Sequence, residues 1–253
     1  MEERLDQSEL DALWDFDDPI ASADRFGQAA AESDRSEAVR HELLTQRARA
    51  LGLQQRFDEA DALLDSLQPA AGIVAVRIAL ERGRLRTSAG RRQDAIPLFE
   101  EALSLARREG DVFLAVDAAH MLAIADSDRS AGWTARALAE LGTASDARTR
   151  RWAVTLHNNR GWALLEHGSP AAALEEFAAA LAAARDVGTE IQVFWAEWAV
   201  AHALRLLGRR QEALAIQQRL ALQHPEDPDV VAELKALADA ERSTDASVER
   251  REP

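Results

Sequence analysis

Apolar and small residues recur along this chain at helical spacing. In GRRQDAIPLFEEAL, which starts at Gly90, residues Ala95, Phe99 and Ala102 stand at i, i+4 and i+7, one face of an α-helix. The spacing returns in GSPAAALEEFAAAL, with Ala173, Phe177 and Ala180, and in GRRQEALAIQQRL, with Ala213, Gln217 and Leu220. Looser copies supply Ser22, Phe26 and Ala29; Ala60, Leu64 and Leu67; and Thr134, Leu138 and Leu141. The stripes begin at 22, 60, 95, 134, 173 and 213, so they lie 35 to 40 residues apart. Each predicts the buried face of a helix that starts just after a turn.

A second helical segment precedes each turn. Gly83 comes seven residues before Gly90, and Gly161 seven before Gly168. A residue without a side chain there lets two antiparallel helices approach closely. The predicted unit is therefore helix, tight turn, helix, and it recurs because one pair cannot bury its own apolar face. The units fall at 8–34, 37–69, 72–109, 111–143, 149–187 and 189–223 within a single helical repeat domain spanning 1–240. Asp18-Pro19 and Asp227-Pro228 each place a capping acid before a proline at the first helical position, so both start helices. The second of these opens a capping helix over 228–240, apolar on one stripe and charged on the other. Residues 241–253, almost without apolar content, are predicted to be a disordered tail.

The small residues in both helices, the large residue between them and the Gly-containing turn resemble the tetratricopeptide repeat (TPR). Gly83, Gly90, Ala95, Phe99 and Ala102 match that pattern, as do Gly161, Gly168, Ala173, Phe177 and Ala180. The resemblance covers roughly residues 8–222 and extends to a widespread bacterial group of small TPR proteins. It implies an all-α fold: a right-handed α-solenoid of stacked antiparallel helix pairs, with about five to six repeats and a C-terminal capping helix. It also implies a concave groove lined by the first helix of each pair.

Composition narrows the function. At 253 residues and 47% hydrophobic content, the chain can bury a sizeable core. The absence of cysteine excludes disulfides, thiolate catalysis and Cys-ligated metal. No segment approaches the ~20 apolar residues of a membrane span. The acidic N-terminus MEERLDQSEL has no apolar signal region, so the expected compartment is cytoplasmic. A net charge of −14 disfavours nucleic acid as the main partner. The six histidines show no HExxH spacing, and no phosphate loop, nucleophile elbow or dinucleotide glycine pattern occurs. No cofactor, metal or enzymatic activity is expected.

The groove positions implied by the resemblance carry the candidate chemistry. In the early units they are Thr45, Arg49, Arg77, Glu81 and Arg84, followed by His120 and Asp126. In the later units they are Asn158, Asn159, Trp162 and Glu166, then Trp195, Trp198, His202 and Arg205. Arginine forks bind carboxylates, asparagine can grip a peptide backbone and tryptophan supplies apolar contact area. The expected function is a non-catalytic adaptor for a protein or peptide, one bearing acidic residues or a free C-terminus. The alternatives are a self-associating module and a sensor of a small anionic ligand or nucleic-acid partner. For Trp152, Trp162, Trp195 and Trp198, core filling stands equally beside a groove role. Arg77 and Arg84 have a plainer reading as partners of Glu81 on a solvated helix face.

Overall fold

The computed structural model describes residues 4–249, with side chains over 4–239, and every regular element among them is helical. The helices group into two compact units, Met1–Ala144 and Ser145–Pro253. The division follows the degenerate stripe at Thr134, where Leu138 replaces the aromatic residue of the best copies.

In the first unit, α1 (Gln7–Leu13) and α2 (Pro19–Ala30) are followed by α3 (Glu37–Leu53) with α4 (Phe57–Asp65). Then come α5 (Gly72–Ser88) with α6 (Arg92–Arg108), and α7 (Val112–Ala125) with α8 (Ser130–Leu141). The first helices stack in order, α3 on α5 and α5 on α7, while each second helix packs on its own partner. The second unit opens with a single turn, α9 (Ala147–Arg150). It continues with α10 (Trp152–Glu166) and α11 (Pro170–Val187), α12 (Glu190–Leu206) and α13 (Arg210–Gln223), and α14 (Pro228–Glu249). Helix α14 carries the chain into the stretch expected to be disordered from 241 onward; residues 250–253 lie outside the described residues.

Local chemistry accounts for the helix ends. The Asp18 side chain accepts the Ala21 N–H at 2.9 Å, and Asp227 accepts that of Val230 at 3.1 Å, satisfying otherwise orphaned donors. Thr189 and Gln192 form a reciprocal capping box at the start of α12. Gly90, Gly168 and Gly208 hold φ of +76°, +71° and +74° in the turns between paired helices. The equivalent turn between α3 and α4 places Gln55 at φ +61°, where a side chain is strained.

The repeated stripe forms the core. Ser22, Ala60, Ala95, Ala173 and Ala213 are fully buried, and so are Phe26, Leu64, Phe99 and Phe177. A Cβ added to Gly83 would lie 2.4 Å from the Phe99 ring, and one added to Gly161 would lie 2.4 Å from Phe177. Each glycine thus admits the aromatic ring of the next helix, which explains the fixed spacing between them. In α13 the aromatic position is Gln217, fully buried with neither side-chain polar atom hydrogen-bonded.

Candidate functional site

The first helices of the two units present different faces. In the first unit, Glu42 and Arg49 of α3 face Arg77, Glu81 and Arg84 of α5, and these face Asp117 and His120 of α7. Arg77 and Glu42 are both buried, and Arg77 Nε donates to Glu42 Oε2 at 3.0 Å. Arg84 donates to Glu81 at 2.5 Å and to both Asp117 oxygens at 2.6 Å. Burial alone would lower the Arg84 pKa, but Asp117 and Glu81 outweigh it and hold the group above its ordinary value. Burial likewise opposes ionisation of Asp117, yet Arg84 and then Arg49 keep its carboxyl below the usual range. The burial of His120 depresses its pKa and favours the neutral ring.

The chain's own N-terminal segment lies along this face. Arg4 pairs with Asp111 at the start of α7, and the buried Leu5 donates its N–H to Glu42 Oε1 at 3.2 Å. Trp14 Nε1 donates to Gln46 at 3.3 Å, and its ring stacks on Phe16 with centroids 4.6 Å apart. The Arg49 guanidinium sits 5.3 Å from the Trp14 centroid and 5.5 Å from that of Phe16, a cation–π contact. Its pKa is lowered by burial and by neighbouring Arg84.

These positions correct the plainer expectation for Arg77 and Arg84. Arg84 does pair with Glu81, but in a buried network rather than on a solvated face, and Arg77 reaches Glu42 on another helix. Asp126, placed in the groove by the TPR resemblance, instead closes α7 and accepts from Trp133 and Arg129.

The second unit's face is aromatic. The rings of Trp162 and Trp198 lie 6.0 Å apart, Trp198 stacks on His202 at 5.2 Å, and Trp162 packs edge-on to Phe177 at 5.2 Å. Trp162 and Trp198 are therefore both half-buried parts of the core and components of the face. Trp195 is 39% exposed. Asn158 stands one turn before Trp162 on α10, and Trp195 one turn before Trp198 on α12. Neither Asn158 nor the exposed Asn159 makes a side-chain hydrogen bond among the described residues. Glu166 is exposed at the end of α10.

Glu233 of α14 closes the far end of this face. It accepts from His202 Nδ1 at 2.6 Å and from Arg205 Nε at 2.7 Å. Burial would raise its pKa, but the hydrogen bonds from His202 and Arg205 prevail and hold it down at about 2. Sequence reasoning missed Glu42, Asp117 and Glu233 as partners, although a signal existed. Glu42 and Arg77 are 35 residues apart, Arg84 and Asp117 33, and Arg205 and Glu233 28, so each pair joins opposite charges about one repeat apart.

No protein-family model matches the sequence, and no curated protein is similar to it. Solved structures are similar. BtubC from P. vanneervenii superposes with a TM-score of 0.62 at 20% identity, over 85% of this chain and 94% of that one. The apo form of RapI gives 0.67 at 12% identity, over 90% and 67%. The TPR-like repeats of a putative kinesin light chain from Podospora anserina give 0.56 at 15%, over 74% and 97%. The fold is that of a TPR-like helical solenoid. At these identities the likeness is one of fold. Among the described residues no helix is long and apolar enough to cross a membrane.

Proposed function

We propose that this TPR-like protein is a non-catalytic adaptor that binds an extended peptide segment of a partner on the α10 and α12 face of its second unit. One observation carries the reading: the Asn158 and Asn159 amides make no side-chain hydrogen bond among the described residues, and they lie on α10, which packs against α12, the helix that carries the exposed indole of Trp195. An asparagine amide offers donors and an acceptor that match a peptide unit, and an exposed indole contributes apolar area with little entropy to lose. Arg205, expected as a carboxylate contact, is already held by Glu233. Recognition here rests on amides and indoles, and a preference for acidic residues or a free C-terminus would add to it only by displacing that pair. On the first unit's face Arg77 and Arg84 are engaged with carboxylates, Arg49 lies against the rings of Trp14 and Phe16, and the N-terminal segment lies across them.

The histidine–carboxylate pairs fit an adaptor better than an acid–base site. His157 shares Glu176 with Arg160, and His202 shares Glu233 with Arg205, so each carboxylate is fixed by a permanent cation.

The test is selection of peptides from a displayed random library, followed by calorimetry with Trp195→Ala and Asn158→Ala, Asn159→Ala variants. Loss of roughly tenfold or more in affinity in each variant is expected, as for truncation of a hot-spot residue. Peptides that bind wild type and variants equally would remove this face from consideration.

A further inference from the structure

Between the second helices α6 and α8 of the first unit lies an open cleft of about 400 Å³, within the size range of small-ligand sites. Its wall brings together Arg107, Arg108 and Arg136 with one carboxylate, Glu100, around Trp133 and Ser104. An adjoining cleft of about 320 Å³ shares Trp133 and Arg136 and opens beside Gly132, where an added Cβ would meet nothing within 4 Å. In a chain of net charge −14, this is a local reversal of sign.

The arginines are not equivalent. Arg107 is paired with Glu140, and Arg129 is held by Asp126 at 2.6 Å. Arg108 donates only to Ser104 Oγ, at 2.9 Å, and Arg136 makes no hydrogen bond or ion pair among the described residues. Two guanidinium forks thus remain for an anion. Trp133 is fixed before any ligand arrives. Its Nε1 donates to the buried Asp126 at 2.9 Å, and the Arg129 guanidinium covers the ring 5.3 Å from its centroid. The wall therefore combines free planar cations with an immobilised indole.

We propose that this cleft binds a mononucleotide-class ligand, its phosphate held between Arg108 and Arg136 and its base packed against Trp133. Guanidinium forks match phosphate oxygens in pairs, and an indole offers a flat surface for a base of any identity. The chain's overall charge repels a long polyanion, so a free nucleotide fits better than a nucleic-acid strand. The cleft is built from the second helices α6 and α8 of the first unit and shares no residue with the peptide face, so it stands without that reading.

Calorimetry on the full chain at low salt tests it, with AMP, adenosine, inorganic phosphate and a single-stranded oligonucleotide as probes. The variants are Arg108→Gln/Arg136→Gln and Trp133→Phe, with circular dichroism confirming unchanged helicity. Both arginines are exposed, so the glutamine pair should leave the core intact. AMP should bind wild type, weaken at least roughly tenfold in the glutamine pair, and exceed both adenosine and phosphate, because only AMP engages forks and ring together. If the glutamine pair binds AMP as wild type does, or if AMP does not bind, the proposal fails. Adenosine binding as tightly as AMP would remove the arginines' role. An oligonucleotide bound more tightly than AMP through the same arginines would overturn the free-nucleotide assignment.

Discussion

The inner faces of the two units are built from the same helix positions yet do opposite things with them. In the first unit these positions hold charges that satisfy one another: Glu42 with Arg77, and Glu81 and Asp117 with Arg84, under the segment from Arg4 to Phe16. In the second, counted back from the turn glycines, Trp162 and His202 stand where Arg84 stands in the first and Trp195 where Arg77 stands; one carboxylate closes the end, and Asn158, Asn159 and Trp195 keep unused surface. A repeat fold fixes where a side chain sits; whether that side chain is free is decided by what the neighbouring repeat places opposite it.

The strongest way to break the comparison is to remove one partner of the buried pair. Glu42→Ala leaves the Arg77 guanidinium, 7% exposed, without its counter-charge and should cost about 3–5 kcal/mol in chemical denaturation. The double change Glu42→Leu, Arg77→Met should recover most of that loss, since well-packed apolar residues can replace a buried pair. If Glu42→Ala is silent, the first unit's face is not held together by its charges.

The matching experiment on the second unit uses pH. The pKa of Glu233 is about 2 in the folded chain against 4.5 as its ordinary value, so its carboxylate stabilises the fold above the ordinary range. That contribution disappears as pH falls through about 2. Glu233→Gln should therefore be less stable than wild type near neutrality, by about 1–2 kcal/mol once solvent screening of the pair is allowed for, with the gap closing in acid melts. A gap that stays constant down to pH 2 would mean that the pair with Arg205 and His202 does not set it.

Smaller effects sharpen the shared framework. Gly161→Ala drives a methyl into the buried Phe177 ring and should cost roughly 1–3 kcal/mol by thermal melting, with Gly83→Ala behaving alike against Phe99. Gln217→Leu should stabilise by about 1 kcal/mol or more, because it removes buried polar atoms that lack hydrogen bonds. Gln55→Gly, which relieves a left-handed backbone, should gain no more than about 1 kcal/mol, and a loss would show that the Gln55 side chain matters more than its φ.

The repeating framework was legible because its determinants are local and periodic. Gly83 with Phe99 and Gly161 with Phe177 lie within one helix pair, and the turn glycines declare themselves by position. The candidate site was only partly legible. Trp195 and the two asparagines could be named as groove candidates from the TPR resemblance, but whether Trp162 and Trp198 were core or surface could not, since a half-buried indole serves both. The cleft at Trp133 was hidden more completely, because its arginines belong to two second helices and look like ordinary solvated charges until α6 and α8 are brought together.

The sequence alone therefore determined the helix pairs, their turns and the small and aromatic residues that interlock them, all of which act over a few turns of one pair. Tertiary structure alone decided that Arg77 and Arg84 are spent on Glu42 and Asp117, that Arg205 is spent on Glu233, and that Asn158, Trp195, Arg108 and Arg136 are not. The physical reason is that a charge is satisfied through space at 2.6–3.0 Å, by residues about one repeat away in the chain, a separation over which sequence states the candidates but not the pairing.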